Sequence, residues 1–417
     1  MASADPALMR AINNFQVIDA IRRHGPISRV EIADRTALSP TTVSSITSTL
    51  LSDNLIVRAE SQPAGEGGLV PREYGVAQDH ARGRPRVMLT LNPEAAFVAG
   101  VKLAPDRITV AVTDYRAEVL GTYSMPVSVH SLTSAAIVDL VADCVVQCTQ
   151  NAELDMHEIS GVCVGLPGII ERSSGMCLQS PLFHERNLSL ADQLEKKLSV
   201  KVALDTDANL VSLAESWFGH GRDLDDFMVI SVEQNLGLGI MHRGELFRGA
   251  NGLCPDLGDL LVVPDKGQSP QRLADIASVE AMLHAAGIWS DGSQSQQAHG
   301  LEDAVDLLVN RARAGDATAV STIERAGCAL GAAIASLTIL FAPARIILVG
   351  VGVGTGNLLL DPLREVVARD TPAILNAVNQ VTSHEWSDDV WARGAAAMTL
   401  RDLYGMPWEA MAPVMRI

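Results

Sequence analysis

Asp205, Asp207 and Asn209 stand at alternate positions between an apolar run, Val202–Leu204, and a stretch with apolar residues at helical spacing, Leu210–Trp217. The pattern reads as a short buried strand, an acidic turn and an amphipathic helix. A carboxylate at a strand end beside a helix N-terminus is where α/β folds place general bases and ligand-binding groups. The same residue types cap helices by accepting from free backbone N–H groups. Spacing alone leaves both roles open, so the surrounding elements have to decide.

A chain of 417 residues is too long for one ordinary core, which predicts two or three domains. Hydrophobic residues make up 47% and charged residues 19%, the balance of a globular protein. No uninterrupted apolar run reaches bilayer-spanning length, and the first residues, Met1–Pro6, hold no basic-then-apolar pattern. These features predict a cytoplasmic protein with no membrane partner. The six cysteines, Cys144, Cys148, Cys163, Cys177, Cys254 and Cys328, contain no Cys-x-x-Cys pair, so neither a zinc knuckle nor a disulfide framework is predicted. The net charge of −17 is unevenly spread. Residues 1–95 carry ten Arg, no Lys and ten acidic groups, while the remainder carries 22 basic and 39 acidic groups. Nucleic acid would be repelled by such a body and tolerated by such a head.

The head has the elements needed to meet DNA. Phe15, Ile18 and Ile21 are spaced for a helix that Gly25-Pro26 ends. Ser28 and Glu31 have capping-box spacing at the start of a second helix, which runs to Thr36. Ser39-Pro40 opens a third, with Val43, Ile46 and Leu50 as its apolar stripe. Its other face offers Thr41, Thr42, Ser44, Ser45 and Ser48, small hydroxyl groups able to reach phosphates and base edges in a major groove. With Arg29, Ser39 and Pro40 at the approach, this predicts a winged helix-turn-helix, against the alternative of an ordinary three-helix bundle. The wing is expected from about Arg58 to Val87 and ends in Arg82-Gly-Arg-Pro-Arg86. Arg82, Arg84 and Arg86 suit a narrow, strongly negative minor groove, or else form a solvated loop.

The body repeats one plan. Strands are predicted at 97–103, 107–113 and 118–123, then a helix, the strand Ile159–Leu166 and the Val202 strand. A second set at 226–232, 238–242 and 245–247 leads through helices, the last at 317–340, to the strand beginning at Arg345 and a Gly-rich turn. Two lobes would enclose a cleft.

In Gly165-Leu-Pro-Gly168, Asp205-Thr-Asp-Ala-Asn209 with Ala214-Glu215, Gly249-Ala-Asn-Gly252, Arg345-Ile-Ile-Leu-Val-Gly350 and Trp391-Ala-Arg-Gly-Ala-Ala396, the body resembles the ROK family of repressors, open reading frames and sugar kinases. With its head, nearly the full length resembles ROK-type transcriptional repressors of the xylose-operon and N-acetylglucosamine type. The resemblance implies an α/β fold: an N-terminal winged helix-turn-helix plus a two-lobed actin-like, sugar-kinase-like (ribonuclease H-like) body. The expected divisions are 1–93 for the head, 94–206 with 385–417 for the first lobe, and 207–384 for the second.

A kinase of this family would need a first hairpin of the type Asp-x-Gly-Gly-Thr, but Lys102, Ala104 and Pro105 stand there. Proline removes both the flexibility and a donor from a phosphate cradle. In the second hairpin Gly237 and Gly239 remain while Glu233 and Asn235 replace glycines. The resemblance places Asp207 at the catalytic base. At the sugar-contacting positions it places Thr206, Asp256 and Asp259, with a last one near Ala274. The family's structural zinc loses its His to Asp259 and has no Cys between Val262 and Leu273, so no metal or cofactor is expected and Cys254 is read as a small core residue. His184 and Arg186 in the preceding loop are candidate donors to a ligand. The resulting expectation is a non-enzymatic repressor, a homodimer or homotetramer on double-stranded operator DNA, with a sugar or sugar-phosphate effector. The alternatives are an active sugar kinase with a regulatory head, and a scaffold whose head contacts proteins.

Overall fold

The computed structural model describes residues 6–59, 87–254, 256–263, 269–289, 300–376, 380–384 and 388–405. The chain divides into two compact units, one of Met1–Ala96, Asp114–Arg116 and Leu400–Ile417, the other of Phe97–Thr113 and Ala117–Thr399. Arg82, Arg84, Arg86 and most of the expected wing lie outside the described residues.

The smaller unit holds α1 (Pro6–His24), β1 (Ile27–Ser28), α2 (Arg29–Thr36), α3 (Pro40–Ser52), β2 (Ile56–Arg58) and β3 (Met88–Leu91), with the strands paired antiparallel in the order β1-β3-β2. The caps read from sequence form. The Glu31 carboxylate accepts from Ser28 N at 2.9 Å while Ser28 Oγ accepts from Glu31 N at 3.4 Å. Ser39 Oγ accepts from Thr42 N at 3.1 Å, with Pro40 in the first turn. One residue of the α3 stripe differs from expectation. Thr47 is fully buried beside Val43 and Leu50, whereas Ile46 is only half-buried. Thr47 is tolerated inside because its hydroxyl donates to Val43 O at 2.8 Å and accepts from Arg29 Nε at 2.7 Å.

The larger unit contains two five-stranded sheets of one design. In the first lobe β4 (Phe97–Leu103), β5 (Arg107–Thr113) and β6 (Val119–Pro126) form an antiparallel meander. Helix α4 (Ser134–Asn151) follows, then β7 (Ile159–Leu166), the hairpin β8 (Ile169–Glu171) and β9 (Met176–Gln179), helix α5 (Leu190–Leu198) and β10 (Val202–Thr206). Strands β7 and β10 add parallel to β4, giving the order β10-β7-β4-β5-β6. Helix α6 (Asp207–Phe218) leads to the second lobe. There β11 (Phe227–Val232), β12 (Leu236–His242) and β13 (Glu245–Leu246) again meander. Next come β14 (Leu261–Val262), β15 (Gln271–Arg272), α7 (Ala274–Ala277), α8 (Val279–Ala285), α9 (Leu301–Arg313) and α10 (Ala317–Phe341). They are followed by β16 (Arg345–Val349), α11 (Asn357–Asp370), α12 (Ala373–Asn376), β17 (Gln380–Ser383) and α13 (Asp388–Leu403). The second sheet runs β13-β12-β11-β16-β17. Helix α10 is long and apolar enough to cross a bilayer, yet 61% of its apolar window is buried within the protein. It lies against α11, where a Cβ on Gly327 would stand 2.5 Å from Leu359 O and one on Gly331 would stand 2.7 Å from Leu363 O.

Helix α6 packs between the two sheets on positions that lack a side chain. A Cβ on Gly165 of β7 would lie 2.3 Å from Leu210, and one on Gly239 of β12 would fall within 2.6 Å of Ala208 O. On α13, a Cβ at Gly394 would approach Leu210 O to 2.3 Å and one at Gly100 would run into the α13 backbone at Ala396 N, 2.3 Å away. Gly394→Val is therefore expected to lower unfolding stability by about 2–3 kcal/mol or more through overpacking. Urea denaturation checks this, and an unchanged midpoint would contradict the close crossing of α6 and α13.

Candidate ligand cleft and DNA-binding face

The two lobes enclose a cavity of about 470 Å³, a size suited to a small ligand. Strand β10 delivers Thr206 to its wall and α6 begins at once with Asp207, so the expected turn is absent. Thr206 is the cap: its Oγ1 accepts from Asn209 N at 3.4 Å. Asp207 is the first helical residue, and its Oδ1 accepts from Ala208 N at 2.7 Å. Asp256 and Asp259 line the same cavity, as do Ser180, Arg107 and Arg272. Asp256 Oδ1 accepts from Gly258 N at 2.9 Å, and Asp259 pairs with Arg272 at 3.4 Å.

Asp205 has a different task. It is fully buried and does not line the cavity. Arg248, which follows β13, donates to both carboxylate oxygens at 2.6 and 3.2 Å, and Arg172 lies at 3.5 Å. Asn209 Nδ2 donates to Oδ1 at 2.9 Å. Arg172 and Asp205 belong to the first lobe and Arg248 to the second, so this charge cluster ties the lobes together behind the cavity. Burial would raise the Asp205 pKa, but Arg248 foremost, with Arg172 and Asn209, outweighs it and holds the carboxyl below its ordinary value. Cys254 belongs with this group: it is only partly buried, its Sγ stands 2.9 Å from Asn209 Nδ2, and it reaches the cavity wall, so it is not the core residue expected.

The hairpins carrying Lys102 and Glu233 meet. Lys102, on β4, is buried, and its Nζ stands 4.0 Å from Glu233 Oε1 and 4.3 Å above the Trp391 ring. A cation on an aromatic face, beside two carboxylates, is electrostatically well placed. Asp207 is the second carboxylate. Protein crowds it although it keeps some exposed surface. Burial raises its pKa, and Lys102 together with the Ala208 N–H takes back only part of that rise. The retained Gly237 and Gly239 have a packing cause. A Cβ on Gly237 would meet Ser231 Oγ at 2.4 Å, and one on Gly239 would overlap Ser212.

Two ligand candidates stand apart from the cavity. His184 and Arg186 do not line the cavity. Leu182 and Phe183 bury into the first-lobe core, and the chain then turns outward, leaving residues 184–187 in solvent. On the head, Ser39, Pro40, Thr41, Ser44, Ser45 and Ser48 are exposed on α3, and Thr42 is half-buried with its Oγ1 2.8 Å from Ser39 Oγ. Arg29 is not a free arm, because its Nε is spent on Thr47 and braces α2 against α3. Sequence reasoning missed Arg172, Arg248 and the Lys102–Glu233 contact. An arginine beside a buried carboxylate leaves no local signature, though two opposite charges introduced at two hairpins of one cleft could have suggested the pair.

These environments predict opposite responses. A depressed folded-state pKa makes the Asp205 contribution complete above the ordinary value of about 4 and lost as pH falls through the lower folded value. Asp205→Asn should cost about 3–5 kcal/mol at neutral pH, since it strands two buried arginines. For Asp207 the folded value is raised, so ionisation opposes folding once pH passes about 4. Asp207→Asn should raise the melting temperature at neutral pH and leave it unchanged below about pH 3.5. Thermal melts of both variants across pH check the two signs.

Residues 98–402 match the ROK family, and residues 10–57 match a winged helix-turn-helix DNA-binding family. The chain is similar to the N-acetylglucosamine repressor of Shigella flexneri, at 26% identity over 353 residues, 82% of this chain and 81% of that protein. It is also similar to a glucokinase of Halalkalibacterium halodurans, at 27% identity over 281 residues, 64% of this chain and 84% of the kinase. A solved ROK family transcriptional regulator, a homologue of the Escherichia coli Mlc protein, shares the fold with a TM-score of 0.75 at 24% identity, covering 97% of this chain and 99% of that one. This chain, a helix-turn-helix head followed in sequence by two meander-led lobes, belongs to the ROK family.

Proposed function

We propose that the protein is a sequence-specific transcriptional repressor of carbohydrate-related genes, whose body senses a sugar or sugar phosphate without phosphorylating it. The observation that carries this reading is one combination: a helix-turn-helix with exposed hydroxyls on α3, joined to a cleft where Lys102 and Glu233 occupy the phosphate hairpins. Phosphoryl transfer is mostly positioning and charge stabilisation, so a base at Asp207 without hairpins that hold phosphate and metal does little. The division of labour assigns 1–93 to DNA, 94–206 with 385–417 to the first lobe, and 207–384 to the second. Thr206, Asp207, Asp256 and Asp259 accept from ligand hydroxyls. Ser44, Ser45 and Ser48 approach base edges, and Arg82, Arg84 and Arg86 approach a minor groove. A symmetric homodimer in the cytoplasm would present two α3 helices to two half-sites. An effector changes DNA affinity only if it binds two lobe arrangements unequally.

The similarity to a glucokinase and the retained Asp207 favour the kinase alternative. ATP-dependent phosphorylation of a hexose, lost in Asp207→Asn, would establish it. For the repressor reading, a gel shift of the full chain on its own gene's upstream region is expected at low salt. Ser44→Ala or Ser45→Ala should weaken it by about 5- to 100-fold, the worth of one base contact. No shift at low salt, with or without sugars, would overturn the reading.

A further inference from the structure

Glu215, His220 and His384 meet at the end of α6 remote from Asp207, outside the cavity lining. Glu215 is completely buried in the last turns of α6, His220 is exposed just beyond that helix, and His384 is half-buried after β17. His384 Nδ1 lies 2.9 Å from Glu215 Oε1, and the other oxygen, Oε2, accepts from His220 N at 2.7 Å. The two imidazoles stack, with centroids 4.2 Å apart and planes 25° from parallel. Arg345, at the start of β16, donates to His220 O at 2.5 Å and fixes the loop that carries the ring.

One donor atom from each of the three side chains lies within 4.8 Å of the other two. Around a tetrahedral zinc with bonds of about 2.0–2.1 Å, donors stand about 3.3 Å apart. Closing the difference requires the exposed His220 ring to turn out of its stack on His384. Two neutral imidazoles and a carboxylate form a donor set that first-row divalent ions take readily, leaving a fourth position for water. The only other trio of this kind among the described residues, Asp155, His157 and Glu158, is fully exposed around a helical cap and lacks such a seat.

We propose that Glu215, His220 and His384 bind one divalent transition-metal ion of the zinc class. Glu215 lies in the last turns of α6, the helix that crosses α13 at Leu210 and Gly394, and His384 directly follows β17. A shared ion therefore ties the last turns of α6 to the end of β17, the edge strand of the second sheet. The site is independent of the regulatory reading, because binding can be measured without DNA or sugar.

The test is a Co²⁺ titration of the chelator-stripped full chain, followed by its visible ligand-field band, with Zn²⁺ as competitor. One ion per chain is expected. His220→Ala and His384→Ala should each weaken binding at least tenfold, while His242→Ala, at a surface ring 2.6 Å from Asp226, should leave it unchanged. Zn²⁺ should also raise the melting temperature of the unaltered chain and not that of His220→Ala. Because His220 is exposed, that variant keeps its fold. No saturable band, or equal affinity in both trio variants and the unaltered chain, would overturn the proposal and leave the trio as a hydrogen-bonded pair with a stacked ring.

Discussion

Helix α6 has almost no room. It lies against β7 and β12 and under α13, and at each approach the facing residue is a glycine: Gly165, Gly237, Gly239 and Gly394. A methyl group at any of them would overlap α6 or residues packed with it. This close seat sets the place of both ends of the helix. The N-terminal end brings Thr206 and Asp207 to the cavity, and the C-terminal end carries Glu215 to the foot of β17. Interiors packed this tightly have discrete arrangements rather than continuous ones, so a shift of one lobe must carry α6 or repack it.

Electrostatics then separates two carboxylates that stand two positions apart. Asp205 is locked by Arg248 and Arg172 and contributes to stability, while Asp207 is crowded, poorly compensated and works against stability when ionised. An under-paired carboxylate facing a cavity is the usual mark of a ligand-directed residue, and the better-paired neighbour is the scaffold that permits it. Lys102 and Glu233 belong to the same balance. The ammonium and the carboxylate each occupy a hairpin, and each lowers the penalty of burying the other.

Much of this was legible from the sequence, because local rules governed it. The Ser28–Glu31 box, the Ser39-Pro40 start and the two three-strand meanders depend on neighbouring residues and emerge where the spacing places them. What was not legible depends on partners far along the chain. The acidic stretch looked like a turn offering a choice between cap and base. In the fold Thr206 caps, Asp207 faces the cavity, and Asp205 is claimed by an arginine 43 positions away. Gly237 and Gly239 looked like the remnant of a phosphate cradle, but the contacts they protect are with α6 and its neighbours. His184 and Arg186 looked like donors because of their types, and the burial of Leu182 and Phe183 turns them outward.

On the proposed reading, the Lys102–Glu233 contact stands where a kinase of this family would hold phosphate. Calorimetric titration of the full chain with Mg²⁺–ATP, in the presence of a hexose mixture, addresses it directly. The account predicts no saturable heat at millimolar nucleotide for the unaltered chain. Saturable binding of Mg²⁺–ATP would contradict it, and would mean that Lys102 and Glu233 leave room for a triphosphate.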